Sequence, residues 1–189
     1  MASFTAIYDA TVLYPAPLRD FLLRLAQTEL FRVRWTEEIH REWMDAVLRN
    51  RPDLSHAQIE RTRRLMDEAV PDCLVTGHEP LIEGLRLPDP GDRHVLAAAI
   101  RCQADVIVTF NTRDFPATVL DRYGIEAQHP DEFACHLIDL DQDAVRDAFR
   151  RQRAALRNPP KSVAELLDTL RRQGLVSTVE LLRALADPS

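Results

Sequence analysis

The chain has 189 residues, a formal net charge of −6, and hydrophobic and charged fractions of 46% and 29%. These describe one domain, with at most a small appendage, long enough to bury a proper core. The acidity argues against indiscriminate wrapping of nucleic acid, and no apolar stretch approaches a membrane span, so no membrane partner is expected and the cytoplasm is the default address.

Residues 4–8 form a short β-capable run ending in Asp9, consistent with a buried parallel strand. Beyond Pro15 and Pro17, Leu18, Phe21, Leu22, Leu25 and Ala26 recur at helical spacing. Thr36 is a credible N-cap for a helix over 36–48, with Glu37 and Glu38 in its first turn. Ile39, Trp43, Ala46 and Val47 are its apolar stripe. After Pro52, a Ser55 cap introduces a helix over 57–69 anchored by Ile59, Leu65 and Met66. Residues 73–76 are a second strand candidate, and 77–88 read as a loop. Asp89-Pro90-Gly91-Asp92 then supplies a cap, a proline at the first helical position and an acid at the third, ahead of a helix over 93–102. Residues 106–110 are a continuous apolar strand and 124–127 a last short one. Strands alternating with helices predict an α/β fold whose sheet is largely parallel and covered on both faces. Past Pro130 the pattern is helical, over about 131–138, 141–156, 162–173 and 177–186.

Four acids stand out against this frame. Asp9 and Asp114 each follow the carboxyl end of a strand, Asp92 opens a helix that feeds the next strand, and Glu42 lies early in its own helix. Ligands of open parallel sheets bind beyond the carboxyl ends of the strands, so all four are expected at one edge. Clustered carboxylates repel, and a divalent cation is the usual remedy. A hard-metal site is therefore the leading expectation, with phosphodiester hydrolysis as its first chemistry.

Each acid also has a plain structural role open to it. Asp9 and Asp114 could open turns, and Asp92 could simply complete the helix start that Asp89 caps. Glu42 lies about 60° around the helix from Ile39, beside the buried stripe, and Glu38 is its competitor. Thr109 and Asn111 end the same strand; Asn111 could hold a water or a neighbouring carboxylate, or serve as a turn amide. His94 is near the proposed site, with a surface or packing role as its expectation. Cys73, Cys102 and Cys135 have no metal-knuckle spacing, and neither a nucleophile elbow nor a glycine-rich phosphate loop is present. Residues 142–161 carry six Lys or Arg against two Asp; Arg150, Arg151 and Arg153 are either a solvated face or a surface that tracks phosphates.

Ile7-Tyr8-Asp9-Ala10, the helix bearing Glu42-Trp43, Asp92-Arg93-His94-Val95-Leu96-Ala97-Ala98 and Thr109-Phe110-Asn111-Thr112-Arg113-Asp114-Phe115 occur in the order of a PIN domain. The chain resembles the PIN-family toxins of bacterial toxin–antitoxin systems, VapC-like ribonucleases among them. The resemblance covers about 1–135 and rests mainly on T-x-N-x-x-D-F together with D-x-x-x-x-A-A. It implies a three-layer α/β/α sandwich over 1–136, with a helical extension over 137–189 outside the common core. It also implies a Mg²⁺ or Mn²⁺ site formed by Asp9, Glu42, Asp92 and Asp114, assisted by Asn111, with Asp89 able to share the role of Asp92. RNA cleavage, an antitoxin partner and a homodimer follow as expectations. The rivals are a nuclease acting on DNA or structured junctions, and an inactive module whose acidic cleft binds an arginine-bearing partner. A phosphatase with an aspartyl nucleophile ranks low, because Thr11 stands where its second acid belongs.

Overall fold

The computed structural model describes residues 3–186. Strand β1 (Thr5–Tyr8) runs directly into a one-turn helix, α1 (Ala10–Leu13), and then α2 (Ala16–Ala26). Strand β2 (Arg32–Arg34) leads to α3 (Glu37–Asn50), α4 (His56–Ala69), the one-turn α5 (Glu79–Ile82) and α6 (Arg93–Arg101). Strand β3 (Val106–Val108), α7 (Ala117–Leu120) and strand β4 (Glu126–Gln128) follow. Helices α8 (Pro130–Leu140), α9 (Gln142–Ala155), α10 (Val163–Arg172) and α11 (Val176–Ala186) come last.

All strand pairs are parallel, in the order β2-β1-β3-β4. Because β2 and β3 flank β1 on opposite sides, right-handed crossovers place α2 and α6 on opposite faces. Side-chain contacts agree with this. Tyr8 Oη donates to Leu22 O of α2 at 3.0 Å, and Phe133 of α8 sits edge-on to Tyr8 and Phe31 at 6.0 and 5.1 Å. Helix α6 packs on β1 and β3, with Val95–Ala99 fully buried. The result is the three-layer α/β/α sandwich, and its strand order reverses between β1 and β3.

Several local expectations need correction. Arg32-Val33-Arg34 is an edge strand that a single apolar residue between two arginines did not announce. Residues 73–76 contribute only one parallel bridge, Trp35 to Leu74. The stretch 77–88 contains α5, and Leu65 is exposed rather than an anchor of α4. Among the described residues, no helix is long and apolar enough to cross a membrane.

The last three helices join the same hydrophobic core through Val145, Phe149, Leu166, Leu170 and Leu182. Polar contacts also fasten them to α2. Gln152 Nε2 donates to Pro17 O at 2.9 Å, and Gln173 Oε1 accepts from Leu18 N at 2.8 Å, an amide in α2's first turn that has no partner within its own helix. Between α10 and α11, Gly174 turns with φ of +101°, and a Cβ there would lie 3.1 Å from the Phe110 ring. Only glycine fits that backbone and that approach.

Candidate active site

Asp9 ends β1 and caps α1, and it is almost wholly buried. Its Oδ1 accepts from Ala10 N, and its Oδ2 accepts from the hydroxyls of Thr11 and Thr109, all at 2.8 Å. The carboxylate is therefore gripped from both central strands, at the point where strand order reverses. Burial pushes its pKa up; the Thr109 and Thr11 hydrogen bonds pull it back, and the charge of Glu42 adds to the rise. Thr109 also accepts from Asn111 N at 3.0 Å, which fixes the chain as it leaves β3. Thr11 is a member of this set that sequence reasoning missed. Its one signal was its place two residues after Asp9.

Asp92 ends a short 3-10 turn (Pro90–Asp92) that Asp89 caps through Gly91 N at 2.8 Å. Half-buried, it has a pKa pushed up to about 6, first by burial and then by the charges of Asp9, Asp89, Asp114 and Glu42. Five carboxylates thus share one electrostatic field, although they come from the ends of β1 and β3 and the starts of α3 and α6. Asp114 closes a second 3-10 turn (Thr112–Asp114) just after β3 and is partly buried. Asn111 is exposed beside it, and Asp89 lies exposed at the rim. Among the described residues, the ligand atoms of Asp9, Asp92 and Asp114 do not form a group within 4.8 Å of one another.

Of the two roles expected for His94, surface or packing, burial removes the first. The residue is 4% exposed, its Nε2 lies 2.5 Å from Glu42 Oε1, and its Nδ1 lies 3.7 Å from Glu38 Oε2. Ligand atoms of Glu38, Glu42 and His94 all fall within 4.8 Å of one another. Burial disfavours the imidazolium, but Glu42, Glu38 and Asp9 more than offset it and hold the pKa above the ordinary value. Glu42 and Glu38, rivals in sequence, therefore flank one histidine. The pairing spans 52 residues, so no local pattern reveals it.

The donor set around Asp92 is all oxygen, which fits a hard divalent cation such as Mg²⁺ or Mn²⁺. The raised carboxyls of Asp9 and Asp92 mark the charge that such an ion would neutralise. A cavity of about 540 Å³ lies elsewhere, lined by Arg32, Arg34 and Asp72. The acids, on an open sheet edge, are better placed than that cavity for a polymeric substrate. Arg150, Arg151 and Arg153 lie on α9, whose last turns approach the start of α2 through Gln152. Arg151 is paired with Asp147 at 3.0 Å.

Residues 5–113 match the family described as "PIN domain", and residues 130–184 match "VapC50 C-terminal domain". A curated protein of Mycobacterium tuberculosis (strain ATCC 25618 / H37Rv), named "Putative ribonuclease VapC50", is 44% identical over 82 residues. That alignment covers 43% of this chain and 48% of the relative, so the chain spans about half the length of the protein it matches. No solved structure matches. With more than half of its residues matched to the family, and with the parallel sheet and switch-point carboxylate described above, the chain belongs to the PIN-domain family.

Proposed function

We propose that the chain is a metal-dependent endoribonuclease that hydrolyses RNA phosphodiester bonds, the toxin of a toxin–antitoxin pair. The observation that carries this reading is Asp92, held in the field of four other carboxylates at the strand-order reversal of a PIN-family sheet. The relative's name supports ribonuclease as the nuclease class. In this reading residues 1–136 form the nuclease and 137–189 an accessory helical part, and the protein works in the cytoplasm as a homodimer with an antitoxin partner.

Asp9 and Asp92 would hold Mg²⁺ or Mn²⁺, with Asp114 completing or orienting the set. Thr11 and Thr109 fix Asp9 Oδ2, so that ligand needs no reorganisation. A divalent cation bound there supplies charge neutralisation at the transferring phosphoryl group and a stronger water nucleophile. Glu42 Oε2 takes the proton from the attacking water, its other oxygen being held by His94. Asn111 orients water or a neighbouring carboxylate, and Asp89 can share the work of Asp92. Arg150, Arg151 and Arg153 track the RNA backbone beside the edge.

The test is cleavage of labelled RNA and DNA across a Mg²⁺ and Mn²⁺ titration, with Asp9→Asn alongside. RNA cleavage that needs the metal and falls by at least about 10³-fold in Asp9→Asn, with the folded state retained by circular dichroism, is expected; full activity in that variant sinks the assignment. Preferential DNA cleavage would move the substrate class. Charge reversal at the three arginines should weaken RNA binding and flatten its salt dependence.

A further inference from the structure

We propose that His94 is a positioning residue whose Nε2–H holds Glu42 Oε1 and thereby turns Glu42's other oxygen toward Asp9 and Asp92. This rests on the metal-dependent reading above and extends it to a residue that acts through Glu42. An ionised carboxylate only accepts, so the 2.5 Å contact makes Nε2 the donor and fixes which ring nitrogen carries the proton. The two partners are unequal in freedom. His94 is buried in the first turn of α6, whereas Glu42 is 41% exposed on a long side chain of α3. Left alone, an exposed glutamate samples several rotamers. Anchored at one oxygen by a buried ring, it has one orientation.

The place of the anchor is fixed by the fold: His94 follows Asp92 by two residues at the start of α6, so the carboxylate it holds at 2.5 Å lies beside that acid. The other ring nitrogen is not used in this way: Nδ1 is buried without a hydrogen-bond partner, with Glu38 Oε2 at 3.7 Å. A histidine kept only for packing has no reason to aim one nitrogen at an exposed glutamate and leave the other unsatisfied. Residues that orient metal-site carboxylates characteristically change metal affinity or activity by about 10- to 100-fold when removed.

The experiment measures Mn²⁺ affinity by electron paramagnetic resonance, without substrate, together with unfolding temperature. His94→Leu fills the space without a donor, and His94→Gln returns an N–H near the position of Nε2. The expected result is Mn²⁺ binding about 10-fold weaker in His94→Leu, largely restored in His94→Gln, with no further loss when His94→Leu is added to Glu42→Gln. Should His94→Leu fail to fold, Glu42→Asp provides the second route: it keeps the charge, withdraws it from His94, and is expected to lose affinity to a similar degree. Wild-type affinity in His94→Leu or in Glu42→Asp overturns the proposal, as does an equal loss from His94→Leu in the Glu42→Gln background. A wild-type chain with no Mn²⁺ binding sensitive to Asp9→Asn overturns the metal reading itself, and the proposal with it.

Discussion

Helix α3 carries two histidine–carboxylate pairs, and they are built on opposite plans. In the first, His40 is fully buried; Trp43 Nε1 donates to its Nδ1 at 3.0 Å, and its Nε2 lies 2.8 Å from Asp67 Oδ1. Asp67 Oδ1 also accepts from Trp35 Nε1 at 2.8 Å, and Cys73 is close by. Every member is satisfied, and the network ties α3 to α4. In the second, Glu42 is exposed, His94 retains an unsatisfied nitrogen, and the charge of Glu42 acts on Asp9 and Asp92. The pKa directions diverge accordingly. Burial, together with Trp43 occupying Nδ1 as an acceptor, keeps His40 neutral and below the ordinary value, whereas Glu42 and its neighbours raise His94. A closed network stabilises; an open one holds charge ready for something outside the chain.

The sharpest way to break this contrast is Asp67→Ala. Removing the shared acceptor leaves the buried His40 and Trp35 donors unpaired, which costs about 3 kcal/mol and lowers Tm by roughly 6–12 °C. A Tm unchanged in calorimetry would mean that the network is not structural. At the other pair the sign reverses: Asp92→Asn should stabilise the metal-free chain at pH 7, because it relieves repulsion from Asp9, Asp89, Asp114 and Glu42. The gain is about 1 kcal/mol or less, since solvent screens this half-exposed group, and it should come with loss of cleavage. An acid whose folded pKa is raised makes stability fall as pH rises through its window, for Asp92 from 3.8 to about 6, and the asparagine should reduce that slope, leaving the share of the raised Asp9.

His40 gives the smallest and most specific effect. Its folded pKa is depressed, so its contribution is complete above the unfolded value of about 6.5 and is lost as pH falls through the folded one. His94, raised, contributes below about 6.5 and loses that contribution as pH climbs through its folded pKa, so the two histidine windows fall on opposite sides of that value. In the Asp92→Asn chain, Tm should therefore decline as pH falls below about 6.5, and His40→Gln should flatten the decline. A flat profile in Asp92→Asn alone would contradict a buried neutral His40.

What the sequence disclosed divides along the same line. Local chemistry was legible: Thr36 and Ser55 as caps, Asp89-Pro90-Gly91-Asp92 as a helix start, and the apolar runs of β1 and β3 all became the expected elements. The edge strand β2 was not, because pairing with β1 rather than its own composition makes it a strand. The convergence of Asp9, Asp92, Asp114 and Glu42 followed from their places relative to strand ends. Their partners were hidden, since Thr109 meets Asp9 across 100 residues and His94 meets Glu42 across 52. Such contacts exist only once the sheet and α6 are assembled.

The central claim is that the open pair and the aspartates form one cation-binding edge, and a crystal soaked in Mn²⁺ tests it most directly. The anomalous-difference map should show the ion bound by the Asp9 and Asp92 carboxylates, with Glu42 turned toward it and still held by His94. An ion bound only between Glu38 and His94, with Asp9 untouched, would contradict the account.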